Sequence, residues 1–447
     1  MQQRPTFHNG YILGISFISA LGGYLFGFDF AVISGALPFL RTVFHLTDWW
    51  EGFLTGSLAL GCMAGCVLAG GLADKYGRRA GLMIAALLFA CSSLGMAFSQ
   101  SLPAFIATRA AAGIGVGMAS MLSPLYIAEV SPAAVRGRNV AINQLTIVLG
   151  ILITNLVNYL LAAKGPEVWR WMFGLGTVPS SLFLLGVWWL PESPRWLMKV
   201  GRKAEALKVL GKIGDANFVS RTSEDISASL KESPTVKLRE ILSGAARPAV
   251  IVGITLAVFQ QFCGINVVFN YTSTIFRSIG ASLDHQLLET ISIGIVNFIF
   301  TLVAMWQVDR LGRKPLMLLG SAGLAIVYIA LALALQGNAG AGIVSICVLA
   351  AIALYATSLA PVTWVLISEI FPTGIRGKAT SVAVVSLWGA YFILAFTFPV
   401  LASHLGAFGP FYLYAGICGL GFLFIRSRVK ETKGKTLEEI ETSLMHH

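Results

Sequence analysis

Charged residues are scarce in this chain: Asp, Glu, Lys and Arg make up 12% of its 447 residues, against about 25% in soluble domains. Apolar residues make up 56%, and the mean hydropathy is +0.76. So little charge excludes an ordinary soluble domain of this size. The apolar runs are continuous and do not alternate with polar residues, which excludes a transmembrane β-barrel. The composition therefore predicts an all-α membrane protein.

Motifs of enzymes and of metal sites are also lacking. No GxxxxGK[ST] phosphate loop occurs in the sequence, which excludes ATP as the energy source. The six histidines are scattered, and all six cysteines fall within apolar runs. Such cysteines are better interpreted as small core side chains than as a metal or redox pair. We therefore predict that the chain is not an enzyme and uses neither a cofactor nor a metal.

Twelve apolar stretches are each long enough to cross a bilayer, which takes at least about 17 residues of helix. They lie near residues 11–33, 52–73, 80–98, 103–127, 139–163, 169–190, 248–276, 286–307, 315–336, 340–367, 379–403 and 408–427. The one sizeable polar segment is 191–247, where Val200, Ala204, Leu207 and Leu210 recur at helical spacing. That pattern predicts short amphipathic helices lying against the bundle.

The net charge of +11 follows the predicted topology and does not indicate a nucleic-acid site. On one side of the spans the only Lys and Arg residues are Arg41, Lys164, Arg170 and Arg277. Arg109 lies within a span, and every other Lys and Arg falls on the opposite side. Because an excess of Lys and Arg marks cytoplasmic loops, we predict that both termini are cytoplasmic. The expected partners include the lipid bilayer and no nucleic acid.

An internal repeat divides the chain into two halves. DKYGRR at 74–79 returns as DRLGRK at 309–314, and Glu192 returns as Glu431. Glu129 with RGR at 136–138 likewise returns as Glu369 with RGK at 376–378, and all offsets lie between 235 and 240 residues. An even number of spans in each half makes the halves parallel. The predicted units are an N-terminal six-helix bundle at 1–190, a cytoplasmic linker at 191–247, a C-terminal six-helix bundle at 248–427 and a cytoplasmic tail at 428–447.

Two charged residues lie well inside predicted spans, away from the span ends: Asp29 in the first and Arg109 in the fourth. A charge at the bilayer centre costs roughly 2.5–3.5 kcal/mol on insertion scales, so such residues usually serve a function. At 1.5 Å per residue, Asp29 is about 27 Å from Tyr11 and Arg109 about 30 Å from Glu129, at the inner ends of their helices. The matching depth predicts a pair that binds and releases a proton. A permanent structural ion pair is the alternative.

Polar side chains in the seventh span suit a sugar, whose hydroxyl groups need partners that both donate and accept hydrogen bonds. Gln260, Gln261, Asn266 and Asn270 lie there among apolar residues. Gly264 can unwind the helix locally and bring these amides together, as in other discontinuous transporter helices. Amides that only join helices to each other are the alternative.

The most specific motifs are PESPRWL at 191–197 and QQFCGIN at 260–266, beside the paired DxxGR[RK] loops. Together with residues 22–35, 129–138, 361–378 and 431–435, they make the chain resemble the sugar porter family of the major facilitator superfamily. The resemblance covers essentially the whole chain. It implies two pseudo-symmetric six-helix bundles with the major facilitator fold. The similarity to proton symporters of this family implies that Asp29 accepts the proton and that Arg109 modulates it.

The resemblance also assigns substrate contacts. They fall on Phe26, Gln144, Gln260, Gln261, Asn266, Trp364 and Trp388, with Asn297 as a weaker candidate. Three positions depart from the family pattern: Asn270 stands where Tyr is frequent, Leu387 where Gln or Asn is usual, and Tyr391 where Asn is common. A lost amide and a gained phenol change which hydroxyl groups a site can bind. The individual sugar therefore stays open.

A further set of charged residues lies at the predicted inner ends of the spans. The resemblance implies salt bridges there that hold the halves together when the site opens outward. The set comprises Asp74, Arg78, Glu129, Arg136, Asp309, Arg313, Glu369 and Arg376, with Glu192 and Arg195 extending it. Such bridges must break in every cycle, so each is expected to be moderate. The alternative is that these residues only determine the orientation of the chain in the membrane, which would explain the basic residues but not the acids that recur in both halves.

From these features we expect a secondary transporter of the cell (inner) membrane. It would act as a monomer and carry a monosaccharide, a hexose or a pentose, together with a proton by alternating access. A proton-coupled symporter for a cyclitol or another polyol is the nearest alternative. An uncoupled sugar facilitator is another, against which the acid Asp29 argues.

Overall fold

The computed structural model describes residues 7–231, 247–371 and 375–433, without the side chains at 133, 134, 229, 231, 308, 309, 368, 376 and 377. Within these residues, twelve helical segments are long and apolar enough to cross a membrane. They coincide with the twelve predicted stretches, so the predicted all-α membrane fold is confirmed. We refer to the first six spans as the N-terminal half and to the last six as the C-terminal half.

The helices follow one another with short turns between them. The N-terminal half contains α1 (Asn9–Val43), α2 (Asp48–Tyr76), α3 (Arg78–Ala97), α4 (Leu102–Val130), α5 (Ala133–Ala162), α6 (Val168–Gly174) and α7 (Thr177–Trp189). The connecting segment forms α8 (Pro194–Lys199), α9 (Lys203–Ile213) and α10 (Ala216–Lys231). The C-terminal half contains α11 (Arg247–Phe262), α12 (Ile265–Asn270), α13 (Thr272–Ser278), α14 (Leu283–Leu311), α15 (Arg313–Gln336), α16 (Ala341–Thr357), α17 (Leu359–Ile370), α18 (Arg376–Leu405) and α19 (Gly409–Arg428). Three spans are interrupted, at the junctions of α6 with α7, α11 with α12, and α16 with α17.

Both described chain ends lie on the same face of the bundle as α8 and α9. Phe7 forms an antiparallel bridge with Gly214, at the end of α9. Near the other end, Lys433 Nζ donates to the carbonyl of Arg310, 2.6 Å away. We call this side the linker face and the opposite side the far face. Spans therefore run alternately from the linker face to the far face and back.

The first helix is longer than the sequence predicts. It continues past residue 33 to Val43, through Gly35 and Pro38. Leu37 and Leu40 in these added turns are almost completely buried, so tertiary packing stabilises them although a proline interrupts the hydrogen-bond ladder.

Small residues let α2 and α4 approach closely. A Cβ added at Gly61 or Gly113 would overlap the backbone of the facing helix. Helix pairs in membranes use such positions because lipid gives no hydrophobic drive for association and close packing must provide it. This pair forms a tightly packed unit within the N-terminal half.

The internal repeat is visible in the backbone as well. Gly77 and Gly312, which precede α3 and α15, have φ of 98° and 94°, values that favour glycine. Beside them, Glu192 accepts from the N–H of Arg78 at 2.9 Å. Glu431 accepts from the N–H of Arg313 at 3.0 Å. Each half thus places a carboxylate at the start of its third span, where unpaired N–H groups favour negative charge.

The described part of the connecting segment forms the expected short helices, but the predicted apolar face is correct only in part. Leu210 is buried and Leu207 half-buried, whereas Val200 and Ala204 are exposed, and the other buried residues of α9 are Ala206 and Ile213. Gly201, with φ of 82°, ends α8 and resets the helical phase before α9 begins. The periodicity counted from Val200 therefore does not continue into α9.

In the described part of the chain the two halves meet mainly along two helix pairs, beside further contacts of α1 with the C-terminal half. In the first pair, α2 presents Gly52 and Gly56 to Phe396 and Phe392 of α18, whose rings are stacked with centroids 5.7 Å apart. In the second, Asn155 Nδ2 on α5 donates to the carbonyl of Thr290 on α14 at 2.7 Å. The candidate functional residues lie between these two contacts.

Candidate functional site

Asp29 and Arg109 form a completely buried ion pair. Arg109 Nη1 lies 3.3 Å from Asp29 Oδ1, and neither side chain has exposed surface. The pair is incompletely bonded, because Asp29 Oδ2, Arg109 Nε and Arg109 Nη2 have no hydrogen-bond partner in the described part of the chain. A buried polar atom without a partner costs about 1–3 kcal/mol, and more for a charged group. This arrangement differs from a structural bridge in which every atom is bonded.

The seventh span breaks at Gly264, as the sequence predicts. Gly264 adopts a left-handed conformation with φ of 86°, which ends α11 and starts α12 in a new direction. The break brings two amides together, and Asn266 Nδ2 donates to Gln261 Oε1. Gln261 Nε2 in turn lies 3.5 Å from Gln260 Oε1. The local unwinding therefore converts separated positions on one helix into a continuous row of amides.

The tenth span breaks too, which the sequence did not indicate to us. Ser358 separates α16 from α17 with φ of −126° and ψ of −85°. Gln260 Nε2 lies 3.4 Å from the carbonyl oxygens of Leu359 and Ala360, just past this break. Pro361 was the available signal, since proline disturbs the turn that precedes it. The amide row is thereby anchored to a second interrupted helix.

Aromatic side chains from both halves meet beside Asp29. Phe26 on α1 contacts Trp388 on α18 edge to face, with ring centroids 5.5 Å apart. Phe30, which we did not single out from the sequence, lies one turn further along α1, 5.1 Å from the ring of Tyr391. The spacing of Phe26 and Phe30 on either side of Asp29 was the signal for it. This cluster offers the apolar surface that the C–H face of a sugar requires.

Two of the three departures from the family pattern contact each other. Asn270 Nδ2 donates to the hydroxyl of Tyr391 at 2.7 Å, and both residues are buried. The hydroxyl hydrogen of Tyr391 remains able to donate, and Asn270 Oδ1 has no partner among the described residues. The pair therefore presents one donor and one acceptor of its own.

Three predicted contact residues take no part in the hydrogen bonds of the amide row. Trp364 on α17 is 41% exposed, Gln144 on α5 is half-buried, and Asn297 on α14 is buried. None of them is hydrogen-bonded to the row within the part of the chain that the structure describes. Their assignment as substrate contacts stays a prediction.

Polar contacts between the halves close the far face. Glu51, at the start of α2, is buried and bonded to Arg41 Nη1 at 2.6 Å. From the other half, the hydroxyl of Thr274 donates to Glu51 Oε1 at 3.4 Å, and that of Ser273 donates to the carbonyl of Ser34 at 2.8 Å. Glu51 was not among the residues we selected from the sequence, because it lies at the edge of its apolar run.

Charged clusters occupy the linker face of both halves. Arg78 binds Glu129 through two nitrogen atoms, at 2.9 and 3.0 Å, and Arg313 lies 3.3 Å from Glu369. Asp74 pairs with Arg78 at 3.4 Å. Each of these pairs joins residues of the same half. The side chains of Asp309 and Arg376 lie outside the described ones, and Arg136 and Arg195 form no ion pair with a described residue. Bridges between the halves at this face stay a prediction.

The two repeated carboxylates differ in their electrostatics. Burial raises the pKa of Glu192, and N–H donors from Ser193, Arg79 and Arg78 offset it only in part. Burial raises the pKa of Glu431 as well, but N–H donors, beginning with that of Lys433, outweigh it and hold the pKa below its usual value. The difference follows from depth, because the more exposed carboxylate keeps more hydration.

Known proteins are similar to this chain in both sequence and fold. Residues 15–444 match the sugar (and other) transporter family. The D-xylose-proton symporter of Escherichia coli (strain K12) is 38% identical, over 97% of this chain and 96% of that protein. The arabinose-proton symporter of Bacillus subtilis (strain 168) is also 38% identical, over 97% and 95%. A solved structure of the xylose transporter from E. coli, in a partially occluded inward-open conformation, is 37% identical and gives a TM-score of 0.86 over 96% of this chain and 100% of that one. The chain belongs to the sugar transporter family, with the major facilitator fold, and is a transporter rather than an enzyme.

Proposed function

We propose that this transporter carries a monosaccharide together with a proton across the cell (inner) membrane by alternating access. The observation that carries the proposal is the buried pair of Asp29 and Arg109, in which three polar atoms have no partner among the described residues. A carboxylate held in this way can bind and release a proton, because burial with incomplete hydrogen bonding penalises its ionised form while the paired Arg109 stabilises that form. Two relatives named as proton symporters support the same reaction class.

The proton provides the driving force. Asp29 takes up a proton from the outside, the loaded transporter changes conformation, and the carboxyl group releases the proton inside. Arg109 stabilises the ionised state and so favours release. At a potential of about 100 mV, one inward proton supplies about 2.3 kcal/mol. Since about 1.4 kcal/mol corresponds to a factor of ten, that sustains roughly fifty-fold accumulation of a neutral sugar.

The substrate site is the space between the amide row and the aromatic cluster. Gln260, Gln261 and Asn266 bind hydroxyl groups, whereas Phe26 and Trp388 cover the apolar face of the ring. Phe26 lies one turn from Asp29 on the same helix, which connects sugar binding with the proton site. Gln144, Asn297 and Trp364 are proposed to complete the site in a conformation that brings them nearer.

We place the linker face in the cytoplasm and the far face outside. The scarcity of Lys and Arg in the far-face loops supports this orientation. With it, the contacts of Glu51, Ser273 and Thr274 close the outer side. The similarity to a partially occluded inward-open structure supports the same assignment. The six-helix units at 1–190 and 248–427 then move against each other around the site, and the transporter acts as a monomer.

A single variant tests the proton assignment. Asp29→Asn mimics the protonated acid, so it should abolish sugar accumulation driven by a pH gradient and leave counterflow exchange largely intact. Uptake and counterflow are measured in the same proteoliposomes with a panel of pentoses, hexoses and cyclitols. If Asp29→Asn still concentrates sugar against its gradient, the pair is structural and the transporter is coupled elsewhere or is a facilitator.

The panel also tests the second candidate, a cyclitol or polyol symporter. The hydrogen bond between Asn270 and Tyr391 supports this second candidate, because the pair presents hydroxyl-binding groups that differ from the usual family pattern. Uptake of a cyclitol in preference to every pentose and hexose would select it over the monosaccharide.

A further inference from the structure

A further carboxylate lies inside the membrane-spanning region, away from Asp29 and Arg109. Glu289 is on α14, six residues after the start of the helix at Leu283, or about 9 Å inside the far face. Its exposed fraction is 8%. Oε2 of Glu289 has no hydrogen-bond partner within the described residues. The proposed transport cycle does not use this residue, yet an ionisable group at such a place usually has a function.

The other oxygen of Glu289 has one strong contact. Ser345 Oγ on α16 lies 2.5 Å from Glu289 Oε1 and 3.0 Å from the carbonyl of Ala341. A hydroxyl has a single hydrogen, so it can serve only one of these two acceptors. When Glu289 is ionised, Ser345 donates to it. When Glu289 carries a proton, the acid donates to Ser345 and the serine donates to Ala341. The site therefore has a consistent hydrogen-bond arrangement for each proton state.

An imidazole connects this carboxylate with the surface. His285 Nε2 lies 3.6 Å from Glu289 Oε1, one turn earlier on α14, and the His285 side chain is 41% exposed. His285 Nε2 and Gln286 Oε1 are both buried atoms without a partner in the described part of the chain. A half-exposed imidazole beside a buried acid is suited to pass a proton inward from water.

The neighbouring helices bring few other charges to this end of α14. Asp284 directly precedes His285 on α14, Cys347 lies two residues after Ser345 on α16, Arg277 lies in the last turn of α13 just before α14, and the fourth ionisable side chain is Tyr159 on α5. Tyr159 interacts with Asp284, and Arg277 with Arg41, Glu51 and Asp48. Among the described residues none of these four forms an ion pair with Glu289, so His285 is the one charge partner of the acid.

We propose that Glu289, His285 and Ser345 form a second proton-binding site, separate from Asp29 and Arg109, whose occupancy controls the pH dependence of transport. The proton passes from water to the imidazole and then to the carboxylate, and the hydrogen of Ser345 turns from Glu289 to Ala341. The next residue, Thr290, accepts the hydrogen bond from Asn155 that joins α14 to the N-terminal half. Protonation of Glu289 thus changes the contact of α14 with α16 directly beside the contact between the halves.

The proton site itself is tested on the purified, sugar-free protein by infrared titration. The carbonyl band of protonated Glu289 is identified as the band that Glu289→Gln removes and Asp29→Asn retains. His285→Asn removes a neighbour that is positive when protonated. Ser345→Ala removes a hydrogen bond in both proton states of Glu289, but the bond to the ionised form is charge-assisted and stronger, so both variants should raise the proton affinity. The midpoint of the band should move to higher pH by about half a unit in each variant, a roughly threefold change in affinity, as expected for a partly exposed ion pair.

The control of transport is tested by counterflow as a function of external pH. Glu289→Gln should flatten the profile severalfold, whereas the control Glu167→Gln, an exposed far-face acid, should retain the wild-type profile. A band whose midpoint is the same in His285→Asn and Ser345→Ala as in the wild type would overturn the site. A Glu289→Gln profile like that of Glu167→Gln would overturn its control of transport. The control of transport rests on the proposed symport, whereas the proton site does not. If the assignment of Asp29 failed, the infrared result for Glu289 would be unchanged.

Discussion

Phe26 and Trp388 contact each other edge to face across the boundary between the two halves, with ring planes 71° apart. Phe26 lies on the helix that carries Asp29, and Trp388 lies on α18, near Tyr391. Trp388 Nε1 is buried, and its polar neighbour is the thiol of Cys66, a weak acceptor. An indole N–H without a strong acceptor loses much of the free energy of one hydrogen bond. A sugar hydroxyl would supply that bond, so this contact joins the proton helix to the substrate.

Trp388→Phe should therefore weaken sugar binding without preventing folding. The ring contact with Phe26 is retained, but the donor is lost, which corresponds to about 0.5–1.5 kcal/mol and at most a roughly tenfold loss of affinity. Calorimetry with the purified protein measures the change. Trp171→Phe is the matched control, because Trp171 is 68% exposed. Equal affinity in both variants would place the sugar elsewhere.

Gly264→Ala should impair both binding and stability. The residue has φ of 86°, and an added Cβ would lie 2.5 Å from Cδ2 of Tyr414. Left-handed strain and overpacking together should cost about 2–5 kcal/mol. Thermal unfolding and sugar affinity are measured together, with Gly416→Ala as the control, since a Cβ there meets no atom within 4 Å. A wild-type affinity in Gly264→Ala would show that the amide row does not depend on the break.

Glu51→Gln should shift the resting population toward an open far face. The substitution weakens the bond to Arg41 and the attraction to the C-terminal half, and a lost charged hydrogen bond is worth about 1.5–3 kcal/mol. A reporter cysteine placed at the far face should become more reactive, and one at the linker face less so. Glu167→Gln, a far-face acid paired with Arg170 of its own half, should leave both reactivities unchanged. If Glu51→Gln also leaves both reactivities unchanged, the contact of Glu51 does not hold the far face closed.

Glu431→Gln should destabilise the protein more than Glu192→Gln at neutral pH. Because the pKa of Glu431 is lowered in the folded state, its contribution is fully present above its usual value and is lost as pH falls through the folded pKa. The pKa of Glu192 is raised in the folded state, so its ionised carboxylate destabilises the fold at neutral pH, and this penalty disappears when the carboxylate is protonated at lower pH. The measurement is the apparent melting temperature from pH 7 down to acidic pH. Relative to the wild type, Glu431→Gln should lose about 1 kcal/mol of stability at neutral pH, a small value because the group is so exposed, and this loss should shrink as the pH falls. A deficit that does not change with pH would contradict the assignment.

The sequence was sufficient for the parts of the structure that a local signal determines. Apolar length predicted the twelve spans, and the matching depths of Asp29 and Arg109 anticipated their contact. The break at Gly264 followed from a glycine placed between two amides. In each case one physical requirement, either burial of apolar length or the conformational freedom of glycine, dominates the outcome.

Other parts depend on contacts between distant segments, which one sequence does not contain. The predicted apolar face of the connecting segment was wrong at Val200 and Ala204, because Gly201 interrupts the helix and tertiary packing determines which face is buried. The break at Ser358 and the role of Glu51 between the halves likewise arise where two helices meet. Nothing in the local pattern of Glu289 indicated that Ser345, on another span, would contact it.

Gly52 of α2 lies against the backbone of Phe396 and Gly56 against the ring of Phe392, and this close approach has a mechanical consequence. Side chains that interdigitate must disengage before two helices can slide, and a tightly packed interface resists continuous movement. A Cβ added at Gly52 would overlap the carbonyl group of Phe396, and the neighbouring Trp49 and Phe53 of α2 pack edge to face against the two rings. Rotation of one half against the other must therefore separate interlocked aromatic side chains here, which adds to the energetic barrier that the polar contacts at the two faces set.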